Sequence, residues 1–172
     1  MALSEQHQSQ LIELAESVGK SLQQHQSYLV TAESCTGGGI AQAITAIAGS
    51  SDWFNGGLVT YSNESKSQLL AVDKHLIQAH GAVSQSVVEA MAEGAANIGL
   101  GNISVAVSGI AGPGGGTAEK PVGSVWIGWG ISDHDRGNAV CSELFVFDGD
   151  REEVRFQTII KALQGVKRLL DR

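Results

Sequence analysis

Four short segments of the chain hold residues able to do chemistry. The first is Ser34-Cys35-Thr36 followed by Gly37-Gly38-Gly39. A hydroxyl at the point where a strand turns into a helix is exposed and lies near free backbone N–H groups. Gly37 and Gly38 allow a substrate or another backbone to come close. The amides of Thr36, Gly37 and Gly38 could then bind an anion or hold an oxyanion. The competing reading is that Ser34 or Thr36 only caps the helix. The second segment is Tyr61-Ser62-Asn63-Glu64-Ser65-Lys66. Partial burial and a nearby helix N-terminus lower a lysine pKa and make the amine a base. A Ser-Lys pair splits amides without histidine. Taken alone, Lys66 reads equally as a solvated surface side chain. Tyr61 is either core or a site residue, since tyrosine has an apolar body and a polar tip.

The third segment runs from Ser108 to Gly116 and contains five glycines, among them Gly109, Gly112 and Gly114, with Pro113. It ends in no Gly-Lys-Ser/Thr and is not a dinucleotide fingerprint. Its N–H groups could cradle a phosphate, or it could be an ordinary flexible connection. The fourth is Arg151 and Arg155, four apart and so on one helix face. Arginine forks suit phosphate, while Glu152 and Glu153 beside them suggest an exposed ion-pair network instead. Cys35 competes with Ser34 as a nucleophile. It lacks an activating histidine at a matching strand end and points the other way on an extended backbone, so it reads as a small packed residue. Glu33 and Glu64 read as structural.

Positioning these residues requires an alternation of strands and helices. Apolar spacing predicts a helix over 4–25 with Ser4 as its N-cap, a buried strand over 28–33, and a small-residue helix over 38–48. A second strand follows at 56–62, then short helices from 63 and over 75–80. A helix over 85–98 is capped by Ser84, and a third strand spans 103–108. Strands over 122–132 and 139–147 form a hairpin across 133–138, and a last helix covers 150–170. Strands separated by helices pair in parallel through right-handed crossovers. The expected architecture is α/β: a three-layer α/β/α sandwich, one domain over residues 1–172, with a mixed five-stranded sheet. In such sheets ligands gather at the carboxyl ends of the parallel strands, which is where the first three segments fall.

Bulk composition narrows the function classes. Eleven basic and eighteen acidic residues give a formal charge of −7, which argues against nucleic acid or an anionic membrane as partner. No apolar run approaches the roughly 20 residues of a membrane span. Two cysteines, Cys35 and Cys141, both in apolar contexts, and a polar start without a signal peptide point to a reducing, cytoplasmic setting. The five histidines lack metal-type spacing, so neither a metal nor a cofactor is expected.

Taken together, Thr31-Ala32-Glu33-Ser34-Cys35-Thr36-Gly37-Gly38, Thr60-Tyr61-Ser62-Asn63-Glu64-x-Lys66, His80-Gly81-Ala82-Val83-Ser84, Ser108-Gly109-Ile110-Ala111-Gly112-Pro113-Gly114-Gly115 and Lys120-Pro121-Val122-Gly123 resemble the C-terminal domain of the competence/damage-inducible protein CinA. Stand-alone members of that family are nicotinamide-nucleotide amidohydrolases. The resemblance, from about residue 11 to 169, implies a sheet in the order 2-1-3-4-5 with strand 4 antiparallel. It implies hydrolysis of nicotinamide mononucleotide to nicotinic acid mononucleotide and ammonia, in pyridine nucleotide recycling. It puts the family's serine, lysine and tyrosine on Ser34, Lys66 and Tyr61, and substrate contacts on Ser108, the Gly loop and the Gly149-Asp150-Arg151 segment, with Arg155 one turn on. The expected partner is a small-molecule nucleotide, and a homo-oligomer is expected. The rival reading is a non-catalytic nucleotide-sensing or partner-binding module linked to competence or DNA damage, which has no need of Lys66.

Overall fold

A computed structural model describes residues 4–98, 100–133 and 137–171. Its elements, in chain order, are α1 (Glu5–Gln24), β1 (Leu29–Glu33), α2 (Gly39–Thr45), β2 (Phe54–Val59), α3 (Asn63–Leu70), α4 (Lys74–His80), α5 (Gln85–Asn97), β3 (Ile103–Gly109), β4 (Ser124–Asp133), β5 (Gly137–Val146) and α6 (Arg151–Leu170). The sheet order is β2-β1-β3-β4-β5. β1 pairs in parallel with β2 and with β3, and β4 runs antiparallel to both β3 and β5. This is the topology the resemblance implied.

The central position of β1 follows from its sequence. All five of its residues are buried, and alternate ones feed the two cores. Leu29 packs in the layer of α1, α2 and α6, while Val30 and Ala32 pack in the layer of α5. The α6 layer closes on Trp129 of β4, whose indole N–H donates to Ala162 O at 2.9 Å. Gly165 lets the indole lie directly on the helix backbone, since a Cβ there would overlap the ring. Forcing a methyl group into that contact would cost about 1–3 kcal/mol. No helix among the described residues is long and apolar enough to cross a membrane.

Several expectations shift. β2 starts two residues earlier than the apolar pattern suggested and ends at Val59, not at residue 62. Thr60 and Tyr61 leave the sheet because Ser62 begins a capping box with Ser65 that opens α3. The small-residue helix stops at Thr45 rather than 48. Ser84 precedes α5 but does not cap it through its side chain; the hydroxyl donates to Gly81 O at 2.8 Å. Cys141 is exposed on the edge strand β5 rather than packed among apolar residues. Of the turn expected over 133–138, residues 134–136 lie outside the described residues, while Asp133 belongs to β4 and Gly137 and Asn138 to β5, with Asp133 and Gly137 in register.

Candidate active site

Ser34 is the first residue after β1, and its N–H donates to Val107 O of β3 at 3.1 Å. The turn that follows is braced from within by Glu33. Its fully buried carboxylate accepts from Thr36 Oγ1 at 2.7 Å, Ile40 N at 2.9 Å and Ala41 N at 2.8 Å, with Thr31 Oγ1 at 3.3 Å. The positive end of α2 is therefore already occupied by the chain's own anion. Gly37 N–H donates back to Ser34 O at 3.0 Å. Of the amides of Thr36, Gly37 and Gly38 expected to bind an anion, that of Gly37 is thus committed to the fold, and so are those of Ile40 and Ala41 that follow in α2. Gly37 and Gly38 have φ of +58° and +94°, the left-handed conformation that glycine adopts freely.

Lys66 sits in the second turn of α3. A helical side chain leans toward the N-terminus of its helix, and this brings Nζ back to the carbonyls that end the β2 segment. Nζ lies 2.8 Å from Thr60 O, 3.5 Å from Tyr61 O and 3.1 Å from Ser34 Oγ. The side chain is only 1% exposed. The solvated-lysine reading of residue 66 is thereby overturned: β1 and β2 are adjacent parallel strands, so their exits face each other. Burial lowers the Lys66 pKa from its usual 10.5, because an ammonium ion loses its hydration there. Among the described residues no carboxylate is a hydrogen-bond partner of Lys66. An uncharged amine has two N–H groups and one lone pair. Carbonyls can only accept, so if Lys66 is in that form Thr60 O and Tyr61 O take its N–H groups and the lone pair is left for the Ser34 hydroxyl proton.

Ser34 and Lys66 share a cavity of about 220 Å³ with Tyr61, Ser108, Gly109 and Arg151. Ser108 faces this cavity as expected, but its hydroxyl donates to Ala82 O at 2.8 Å. Tyr61 is 60% exposed and so is not core; its hydroxyl accepts from Arg151 NH2 at 3.0 Å. Cys35 is buried in the cavity wall, and burial pushes its thiol up to about 12. That keeps it protonated and poorly nucleophilic. Glu64 lies outside the site and pairs with Lys74 at 2.9 Å.

A wider cavity of about 750 Å³ adjoins the first through Ala111 and Arg151 and is lined by Gly112, Pro113, Gly149 and Arg155. Arg151 NH1 donates to Gly112 O at 2.8 Å, and Arg155 NH2 donates to Thr36 O at 2.7 Å. Arg155 Nε is buried and finds no partner among the described residues. The two arginines thus tie the Gly loop and the Ser34 turn to α6 instead of serving only surface carboxylates. Gly114 stands in the open and lines neither cavity. Among the described residues no group of three His, Cys, Asp or Glu side chains is placed to hold a metal ion. The residues the sequence reasoning missed are Ala82 and Val83, which wall the smaller cavity, and Lys120 behind them. The run His80–Ser84 stood out as a motif, but backbone carbonyls leave no chemical signature in a sequence.

Residues 11–170 match the family model described as the CinA C-terminal domain. A nicotinamide-nucleotide amidohydrolase PncC of Pseudomonas putida is 53% identical over 156 residues, covering 91% of this chain and 94% of that protein. The PncC amidohydrolase of Escherichia coli K12 is 47% identical over 156 residues, covering 91% and 92%. Among solved structures, competence damage-inducible protein A from Klebsiella pneumoniae superposes with a TM-score of 0.88 at 35% identity, covering 94% of this chain and 98% of that one. A competence/damage-inducible protein from Agrobacterium tumefaciens gives 0.86 at 38% identity, with 100% of both chains covered.

Proposed function

This chain belongs to the CinA C-terminal domain family, and from that premise we propose that it hydrolyses the carboxamide of nicotinamide mononucleotide by a Ser-Lys mechanism. The observation that carries the reading is the buried Lys66 amine 3.1 Å from Ser34 Oγ, without a carboxylate partner among the described residues.

Uncharged Lys66 takes the Ser34 proton as Oγ attacks the carboxamide carbon. The resulting ammonium gives that proton to the departing nitrogen, and ammonia leaves an acyl-serine. Water, deprotonated by the same amine, then releases nicotinic acid mononucleotide. The pyridinium charge already draws electrons from the amide. The dimensions of the site support this arrangement: the smaller cavity suits a carboxamide on a single ring, and the wider one, with Arg151 and Arg155, suits ribose and phosphate. Tyr61, anchored by Arg151, flanks the ring at the junction. The same reading places the reaction in pyridine nucleotide recycling and takes the active species as a homo-oligomer, which sedimentation of the purified protein will test.

The decisive experiment is ammonia release from nicotinamide mononucleotide by purified protein, combined with intact-protein mass spectrometry during turnover. The expected result is release together with an acyl adduct that maps to Ser34. Full activity in a Ser34→Ala protein would overturn the assignment.

A further inference from the structure

The wall of the smaller cavity opposite Lys66 belongs to no helix or strand. It is the connection between α4 and α5, where Ala82 and Val83 line the cavity and Gly81 has a φ of +78°. Such a segment needs an external support to hold one shape. Four successive carbonyls here each accept from a side chain. Gly81 O takes Ser84 Oγ and Ala82 O takes Ser108 Oγ, each at 2.8 Å. The outer two, His80 O and Val83 O, are both held by the ammonium of Lys120, at 3.1 and 2.8 Å.

Lys120 is well placed to act as a fixed post. Its backbone N–H donates to Thr117 Oγ1 at 3.0 Å, its carbonyl accepts from Thr117 N at 2.9 Å, and Pro121 follows it. A residue before proline is restricted to extended backbone. The turn is joined to the site's floor by Gly123 N–H donating to Ile110 O at 2.8 Å. Among the described residues no carboxylate forms an ion pair with the Lys120 ammonium, so its charge is directed at the two carbonyls. Charge-assisted bonds of this kind are stronger than neutral ones.

We propose that Lys120 is a specificity-determining positioning residue: its ammonium straps the 80–83 segment so that Ala82 and Val83 close the cavity around an unsubstituted carboxamide. The proposal rests on the reading of that cavity as the amide pocket. It touches no reacting atom and acts through the position of the wall. With the strap cut, the wall relaxes outward. Primary amides are then held less well, and amides with a substituent on nitrogen gain entry.

The test uses Lys120→Met, which keeps the stem and removes the donors, and Lys120→Arg, which keeps a cation. Each is assayed with nicotinamide mononucleotide and its N-methyl carboxamide, and amide hydrogen exchange of residues 80–84 is followed in parallel. For Lys120→Met the expected result is a KM for the primary amide raised about tenfold with kcat changed far less, as lost positioning of bound substrate requires. The ratio of kcat/KM for N-methyl over primary amide is expected to rise by at least about tenfold. Exchange should quicken at 80–84 and stay unchanged in β1, and Lys120→Arg should recover part of each effect. An unchanged substrate ratio in an active Lys120→Met protein would overturn the proposal, as would unchanged exchange at 80–84. If the parent protein turns over neither nucleotide while exchange at 80–84 still quickens in Lys120→Met, the amide-pocket reading fails and only the strap survives.

Discussion

The two cavities that meet at Arg151 differ in size and burial. The one that holds Ser34 and Lys66 is about 220 Å³, and both residues are buried. Several of its polar groups are bonded to the chain itself: Ser108 to Ala82 O, Lys66 to two carbonyls, and Arg151 to Gly112 O. The other is about 750 Å³, presents two guanidinium groups, and leaves Arg155 Nε without a partner among the described residues. A site whose reacting groups are buried and pre-bonded suits bond-breaking, because its dipoles need no rearrangement when charge develops. A wide site that presents two arginines beside Asp150 and Glu152 suits capture of a phosphate through guanidinium hydrogen bonds. The expected division is that residues of the first cavity govern kcat, residues of the second govern KM, and Arg151 governs both.

The largest effect should come from the smaller cavity. Ser34→Ala and Lys66→Met are each expected to lower kcat by about 10³-fold or more while KM moves only a few-fold, since each removes a group used only in the chemical step. Steady-state ammonia release measures both constants. If either variant shows a raised KM at near-normal kcat, the division fails. Arg151→Met should lower kcat/KM by about 10- to 100-fold through both constants. Arg151→Lys is expected not to rescue it, because lysine lacks the planar fork that bonds Gly112 O through NH1 and Tyr61 OH through NH2.

Arg155→Met sharpens the comparison from the other side. Its expected effect is a KM raised about tenfold at nearly unchanged kcat. With the phosphate-free nicotinamide riboside as substrate, that variant and the parent should be alike. A kcat loss on both substrates would mean that Arg155 serves the Ser34 turn through Thr36 O, not the phosphate. The smallest effect is expected at Cys35. Cys35→Ala should stay within about twofold of parental kcat/KM, because a thiol held near 12 contributes no nucleophile at neutral pH.

Lys66 also links the site to stability. Its pKa is lowered in the folded protein, so between the folded value and the usual 10.5 the unfolded chain binds the proton and the folded chain does not. Stability therefore rises with pH across that window, and the penalty of burying this amine is greatest below the folded pKa. Lys66→Met is expected to remove this slope and to raise Tm at neutral pH, a trade of activity for stability. Thermal unfolding of both proteins across the alkaline range checks this. An identical slope in the two would show that Lys66 keeps an ordinary pKa.

Much of the fold was legible because its signals are periodic. The stripe over α1, the buried run of β1 and the long amphipathic α6 each announce themselves by apolar spacing. The exit of β2 was misjudged because Val-Thr-Tyr-Ser continues to look like strand, while the Ser62 capping box ends it. Within the site, Ser34 and Lys66 were legible as types placed at strand ends, but the burial of Lys66 was not. Burial depends on β1 and β2 being neighbours, a long-range fact that no local window contains. The availability of backbone amides was likewise hidden. The Gly37 and Gly38 pattern suggested free donors, and only the coordinates reveal Glu33 reaching past the turn to occupy the start of α2.

The account depends above all on an uncharged amine beside the Ser34 hydroxyl. The most direct measurement is an NMR titration of the lysine side chains, with Lys66 assigned by the loss of its resonance in Lys66→Met, set against the pH dependence of kcat/KM. The predicted result is that Lys66 titrates below every other lysine, and that its midpoint coincides with the acid limb along which activity falls as the amine gains its proton. If Lys66 titrates near its usual 10.5 while activity is undiminished at neutral pH, the lysine is not the base, and the mechanism is contradicted.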